Sequence, residues 1–161
     1  MRTTATLLLC LFAGAGAQAS ECGRWSAAMQ EDEGGPQMTA RVCVGAGQAL
    51  QDFSVQCGGD GTLSLRYLPA ASTNYPPGEA ENFEADLTLS LDRETFTRRA
   101  RFEAMDGAMA MTTKIGDSLV EALMHGETFV LSDADGKLPG IAFPLRGSRQ
   151  ALVRLIGSCA R

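Results

Sequence analysis

"FSVQCGGDGTLSLRY", from Phe53 to Tyr67, alternates apolar and polar residues on both sides of a Gly-rich turn. A strand turns successive side chains to opposite faces, so Phe53, Val55 and Cys57 share one face, and Leu63, Leu65 and Tyr67 share another. The apolar faces coincide when Cys57 sits opposite Leu63, which also sets Val55 against Leu65 and Phe53 against Tyr67. The turn between Cys57 and Leu63 is then five residues long. This hairpin makes an antiparallel sheet with one buried face the basis of the fold.

The same alternation runs outward in both directions. Upstream, "GRWSAAM" places Trp25, Ala27 and Met29 on one face, and Cys22, Arg24 and Ser26 on the other. In "MTARVCV" the apolar face is Met38, Ala40, Val42 and Val44, with Thr39, Arg41 and Cys43 opposite. "QEDEGGPQ" between them reads as a turn. Downstream, "ADLTLSL" and "FTRRARFEA" predict a hairpin with Leu87, Leu89, Leu91, Phe96, Ala100 and Phe102 inward and Thr97, Arg99, Arg101 and Glu103 outward. "GDSLVEALMHG" predicts a helix capped by Asp117 or Ser118 and closed by Gly126. "ETFVLSD" and "GIAFPLR" read as strands around the turn "ADGK". A last helix starts at Ser148, read as its N-cap after Gly147, with Leu152, Leu155, Ile156 and Cys159 at helical spacing. The expected class is mainly β (α+β): an antiparallel, β-sandwich-like domain with two short helices, stapled by disulfides.

Residues 1–19, "MRTTATLLLCLFAGAGAQA", have a cation at Arg2, an apolar middle and the small-residue end Ala17-Gln18-Ala19, the pattern of a cleaved secretory signal. Cys10 follows three leucines and lacks the small residue that a lipid-attachment site wants ahead of it. Residues 20–161 then form a single exported domain, periplasmic or secreted, with no later stretch apolar enough to span a membrane. It carries 13 basic against 19 acidic residues. That balance argues against nucleic acid, whose binding rests on neutralising phosphates.

Removing the leader leaves four cysteines, an even number that suits two disulfides in an oxidising compartment. Partners must share a surface, because bonded cysteines have Cα atoms within about 7 Å. Cys22 and Cys43 lie on polar strand faces near the open end of one hairpin. Cys57 lies on an apolar strand face and Cys159 on the apolar face of the last helix. The expected pairs are Cys22 with Cys43 and Cys57 with Cys159.

From Ser118 to Gly157 the chain reads "SLVEALMHGETFVL", a short interval, then "IAFPLRGSRQALVRLIG". This succession of helix, Gly, strand, and a strand that turns through Gly-Ser into the last helix resembles the C-terminal half of the invasion-associated locus B family of exported proteobacterial proteins. It is also similar to small periplasmic proteins encoded with type VI secretion systems. The resemblance implies a β-sandwich-like domain with helices against it, outside the cytoplasm, and brings no catalytic residues with it. Where the locus B family tends to place a cysteine pair, this chain has Ala108, Met109, Ala110 and Met111.

Acid–base catalysis needs convergent carboxylates or a poised histidine. The single histidine, His125, falls in the last turn of a helix, where a cation suits the helix dipole. The expected function is therefore a non-catalytic binding or accessory domain for a protein or cell-envelope component, without a cofactor. Its candidate surfaces are the irregular loop from Pro69 to Asn82, with Tyr75, Pro76 and Pro77 as a rigid anchor, and the basic stripe Arg99 and Arg101 with Arg98 beside it. The alternative is a periplasmic Cu(I)-binding protein using the thioethers of Met109, Met111 and Met124 together with His125. An envelope hydrolase is a third reading. "DADG" at Asp133–Gly136 resembles a calcium-loop fragment but lacks its closing Glu, and reads as a turn.

Overall fold

The computed structural model describes residues 21–32, 34–78 and 81–159. The leader read at residues 1–19 lies outside them. The described strands are β1 (Ser26–Asp32), β2 (Gly35–Val44), β3 (Gln51–Cys57), β4 (Thr62–Leu68), β5 (Glu84–Leu91), β6 (Glu94–Glu103), β7 (Ala108–Lys114), β8 (Thr128–Asp133) and β9 (Ile141–Pro144). The helices are α1 (Ser118–His125) and α2 (Ser148–Cys159). All nine strands join one antiparallel sheet in the order β1-β2-β3-β4-β7-β6-β5-β8-β9. No helix among the described residues is long and apolar enough to cross a membrane.

The β3–β4 register is the one that alternation predicts, with Cys57 opposite Leu63, Val55 opposite Leu65 and Phe53 opposite Tyr67. Val55, Leu63, Leu65, Phe53 and Tyr67 are sealed from solvent. One sheet this wide can bury its apolar face only by folding over on itself. Phe53 accordingly lies 4.8 Å from the ring of Phe129 in β8 and 5.9 Å from that of Phe143 in β9. Tyr67 meets Phe143 at 6.4 Å. The two ends of the sheet are tied where they approach: Trp25 donates its backbone N–H to the Arg146 carbonyl and its indole Nε1 to the Pro144 carbonyl, both at 2.9 Å.

Three local expectations need correction. "QEDEGGPQ" is mostly strand, because pairing between β1 and β2 continues to Asp32 opposite Gly35. Arg98 does not join the exposed stripe. It alternates with Phe96, Ala100 and Phe102, on the face opposite Arg99 and Arg101, and reaches Asp117. Ser148 is the first helical residue of α2 rather than its cap; Gly147 takes that place, its carbonyl accepting from Ala151 N at 3.1 Å. Gly147 has φ +85°, and a Cβ there would stand 3.1 Å from the Trp25 carbonyl oxygen, so both backbone conformation and space call for glycine.

Asp117 caps α1 as predicted, its carboxylate accepting from Leu119 N at 2.9 Å. Arg98 Nη2 donates to both Asp117 oxygens, at 2.8 and 2.9 Å, and so fixes α1 to β6. Gly126 ends α1 with φ −75°, its N–H donating to the Ala122 carbonyl, and a Cβ there would make Leu145 Cδ1 give way.

Both expected disulfides are present. Cys22 and Cys43 have Cα atoms 4.7 Å apart, and Cys57 and Cys159 have Cα atoms 5.4 Å apart. The second joins the end of β3 to the end of α2 across 102 residues of sequence. On the loop-entropy account it contributes about 4–5 kcal/mol and the shorter link about 3 kcal/mol.

The Leu119 amide first, and the Arg98 charge after it, hold the Asp117 carboxyl below its ordinary value of 3.8. A group lowered by folding stabilises the fold above its unfolded pKa and loses that effect as pH falls through the folded one. Asp117→Ala is therefore expected to cost about 1–2 kcal/mol at neutral pH. In denaturant titrations the difference from the parent should hold constant down to about pH 4 and shrink below it.

Candidate functional site

Alternation that sends Phe53 and Val55 inward sends Asp52, Ser54 and Gln56 outward, together with Thr39, Arg41 and Cys43 from β2 and Ser64 and Arg66 from β4. Register aligns Arg41, Ser54 and Arg66 across three strands, and Thr39, Gln56 and Ser64 in the neighbouring row. This polar face is hollowed. A concavity of about 940 Å³ lies over β1 and β2 beside the Cys22–Cys43 link, and a second of about 220 Å³ runs on over β3, β4 and the start of β7. Gln30 and Arg41 line both, so the two form one groove, in which Ala27, Ala28 and Leu50 add apolar lining to the polar side chains.

Apart from Glu21, its charges are paired within the groove or at its rim. Arg41 donates through Nε (3.1 Å) and Nη2 to Asp52 Oδ2. Asp52 is only 8% exposed, and burial raises its pKa against the opposing pull of Arg41. Arg66 Nη2 donates to Glu103 Oε2 at 2.6 Å and to Asp106 Oδ2 at 2.5 Å. Gln56 Nε2 donates to Thr39 Oγ1 at 3.3 Å. What this lattice offers a ligand is directional hydrogen bonding from positioned amides, hydroxyls and guanidinium edges. Leu50 and Leu68 add exposed apolar surface at one end.

The sequence-predicted residues do not converge. Tyr75 is not an exposed anchor: it is 5% exposed, with its ring 5.6 Å from that of Phe83 in an edge contact. The reason lies in the strand order. β4 and β5 are consecutive in the chain, yet β7 and β6 lie between them in the sheet, so the segment after β4 must cross two strands. It is a crossover, roughly 14 Å wide at ordinary strand spacing. Tyr75 pins it to the core, while Pro76 and Pro77 are half-buried. Tyr75 Oη and Asp133 Oδ2 are buried without hydrogen-bond partners among the described residues. Burial first, then the charge of Asp133, raise the Tyr75 phenol well above its ordinary range.

Arg99 is exposed but bound to Glu84 (3.0 Å) and Asp86 (3.4 Å), and Arg101 stands opposite Glu84, so the stripe is interleaved with acids. Met109 and Met111 fill the core and Met124 packs half-buried against it. His125 is exposed at the end of α1, with Nδ1 2.9 Å from the Glu121 carbonyl. The structure thus divides the proposed copper ligands between interior and surface. Among the described residues no three His, Cys, Asp or Glu side chains gather as a metal-binding group. "DADG" is a turn, in which Asp133 Oδ1 accepts from Lys137 N at 2.7 Å. The groove was missed because alternation reports only that Thr39, Arg41, Ser54 and Arg66 share a polar face, not that the face is hollow.

Removing the ring opens the core, so Tyr75→Ala is expected to lose about 3–5 kcal/mol in denaturant unfolding.

No protein-family model matches the chain, and no curated protein does. Among solved structures it is similar to the crystal structure of invasion associated protein B from Bartonella henselae, with 20% identity and a TM-score of 0.57. The match covers 88% of this chain and 97% of that one. The weak likeness read between Ser118 and Gly157 therefore extends, as a likeness of fold, over most of the chain.

Proposed function

We propose that this chain is a non-catalytic binding or accessory domain that works outside the cytoplasm, in the periplasm or beyond the cell, after loss of residues 1–19. It presents the groove over β1–β4 to a protein or cell-envelope component. The groove is the observation that carries the reading. It is wide, it is built on strands rather than loops, and its arginines are held in place by Asp52, Glu103 and Asp106. Side chains held this way lose little freedom on binding, which favours recognition of a partner surface. Two disulfides support the extracytoplasmic address, since such links persist in oxidising compartments.

Expression of the full chain in a Gram-negative host tests the address. The periplasmic or culture fraction should yield a species beginning at Ser20 with all four remaining cysteines blocked to alkylation. A retained leader or free thiols in that fraction would sink the export reading. A photo-crosslinking residue placed at Ser54 should capture a discrete partner that the same residue at Glu94, outside the groove, does not. Equal capture from both positions would remove the groove from the reading.

A further inference from the structure

We propose that the seam between the edge strand β1 and α2 takes an extended, acidic segment of a partner protein, added to the sheet as a further strand. This goes beyond the outer-face groove and concerns the free edge of the sheet, where Ser26 and Ala27 border both concavities.

A sheet edge is a ready template for another strand unless it is blunted. The two edges here differ. β9 is four residues long and ends at Pro144, which has no amide hydrogen and whose carbonyl is already taken by Trp25 Nε1. β1 is seven residues long, pairs only with β2, and carries no proline. Its stretch Ser26–Gln30 is also free of charge, with Ala28 and Met29 exposed. Beside it runs a concavity of about 220 Å³, with Trp25, Ser26 and Ala27 on one wall and Gln150, Ala151 and Arg154 of α2 on the other. An extended peptide there has backbone partners along β1 and a helix wall for its alternate side chains, the geometry of strand addition beside a helix.

Charge selects the peptide. Arg41, Arg66, Arg98 and Arg99 are all in ion pairs. Among the described residues Arg24, Arg93, Arg101, Arg146, Arg149 and Arg154 are in none, and of these the exposed Arg24, Arg146 and Arg154 belong to the segments that border this seam. Arg24 lies over the start of α2, its Cγ 3.6 Å and its Nε 3.7 Å from where a Cβ of Gly147 would be. The chain as a whole has a net charge of −5 and β1 ends in Glu31 and Asp32, so this positive patch is local to the Arg24 end of the strand, and an acidic peptide is held there. An acidic strand complements it, and that complementarity sets both orientation and partner choice.

The test uses the oxidised chain and a fluorescent peptide of alternating Glu and Val, matched in length to β1, read by anisotropy. Saturable binding is expected, weakened about tenfold or more by Arg154→Glu and by Arg24→Glu, since charge-assisted hydrogen bonds are worth about 1.5–3 kcal/mol. Both positions are exposed, and thermal melts of the variants should match the parent. Two further peptides carry N-methyl groups on alternate residues, one on each set. Strand amides point alternately toward and away from their neighbour, so one of these peptides should bind as before and the other should fail. Absence of binding, indifference to both arginine reversals, or equal binding of the two methylated peptides would overturn the proposal. So would a dimer of the chain that the peptide cannot displace, since that would give β1 to a second copy. Ser54 faces away from this seam, so its crosslinks report on the outer groove independently.

Discussion

The contact of Phe53 with Phe129 and Phe143 is the constraint from which the remaining architecture follows. These rings come from opposite halves of a single sheet. Bringing them together forces the sheet to fold over, and folding brings its two ends close enough for Trp25 to bond the chain after β9. The closure is incomplete beyond Trp25. α2 therefore lies across β1, β2 and β3, burying Ala151, Leu152 and Leu155 where no further strand covers the core. α1 is placed on the other half of the sheet by a different device, the Arg98–Asp117 pair that joins it to β6.

Much of this was readable from period two. The alternation in Phe53–Tyr67 has one register that matches its apolar faces, and β3 and β4 adopt it. The same parity separates the four thiols into two compatible pairs, because Cys22 and Cys43 point away from the core while Cys57 and Cys159 point toward it. Alternation says nothing about which distant strands become neighbours. That β7 would slide between β4 and β6 is a long-range outcome, and it alone explains why Pro69–Asn82 is long and why Tyr75 is buried. Residue for residue the segment looks like an exposed loop; its role as a crossover exists only in the assembled sheet. Arg98 is the opposite case: its parity with Phe96 and Ala100 was on the page, but its charge suggested the surface. The groove over β1–β4 depends on how twisted strands curve, which no local pattern records.

The polar residues follow one rule on the outer face and another at the seam. Asp52, Glu103 and Asp106 each fix an arginine, trading net charge for rigidity. Around the start of α2 the arginines are left without such partners. The chain thus has a surface whose arginines are held by acids and a seam whose arginines are not, on different sides of the same three strands.

The Cys57–Cys159 link encloses β4 through β9 and both helices within one covalent ring. Together with Cys22–Cys43 it represents about 7–8 kcal/mol, against a margin of about 5–15 kcal/mol for a typical domain. A reduced chain has neither link and holds its shape weakly, so the redox state of two bonds decides how firmly the folded-over sheet stays shut.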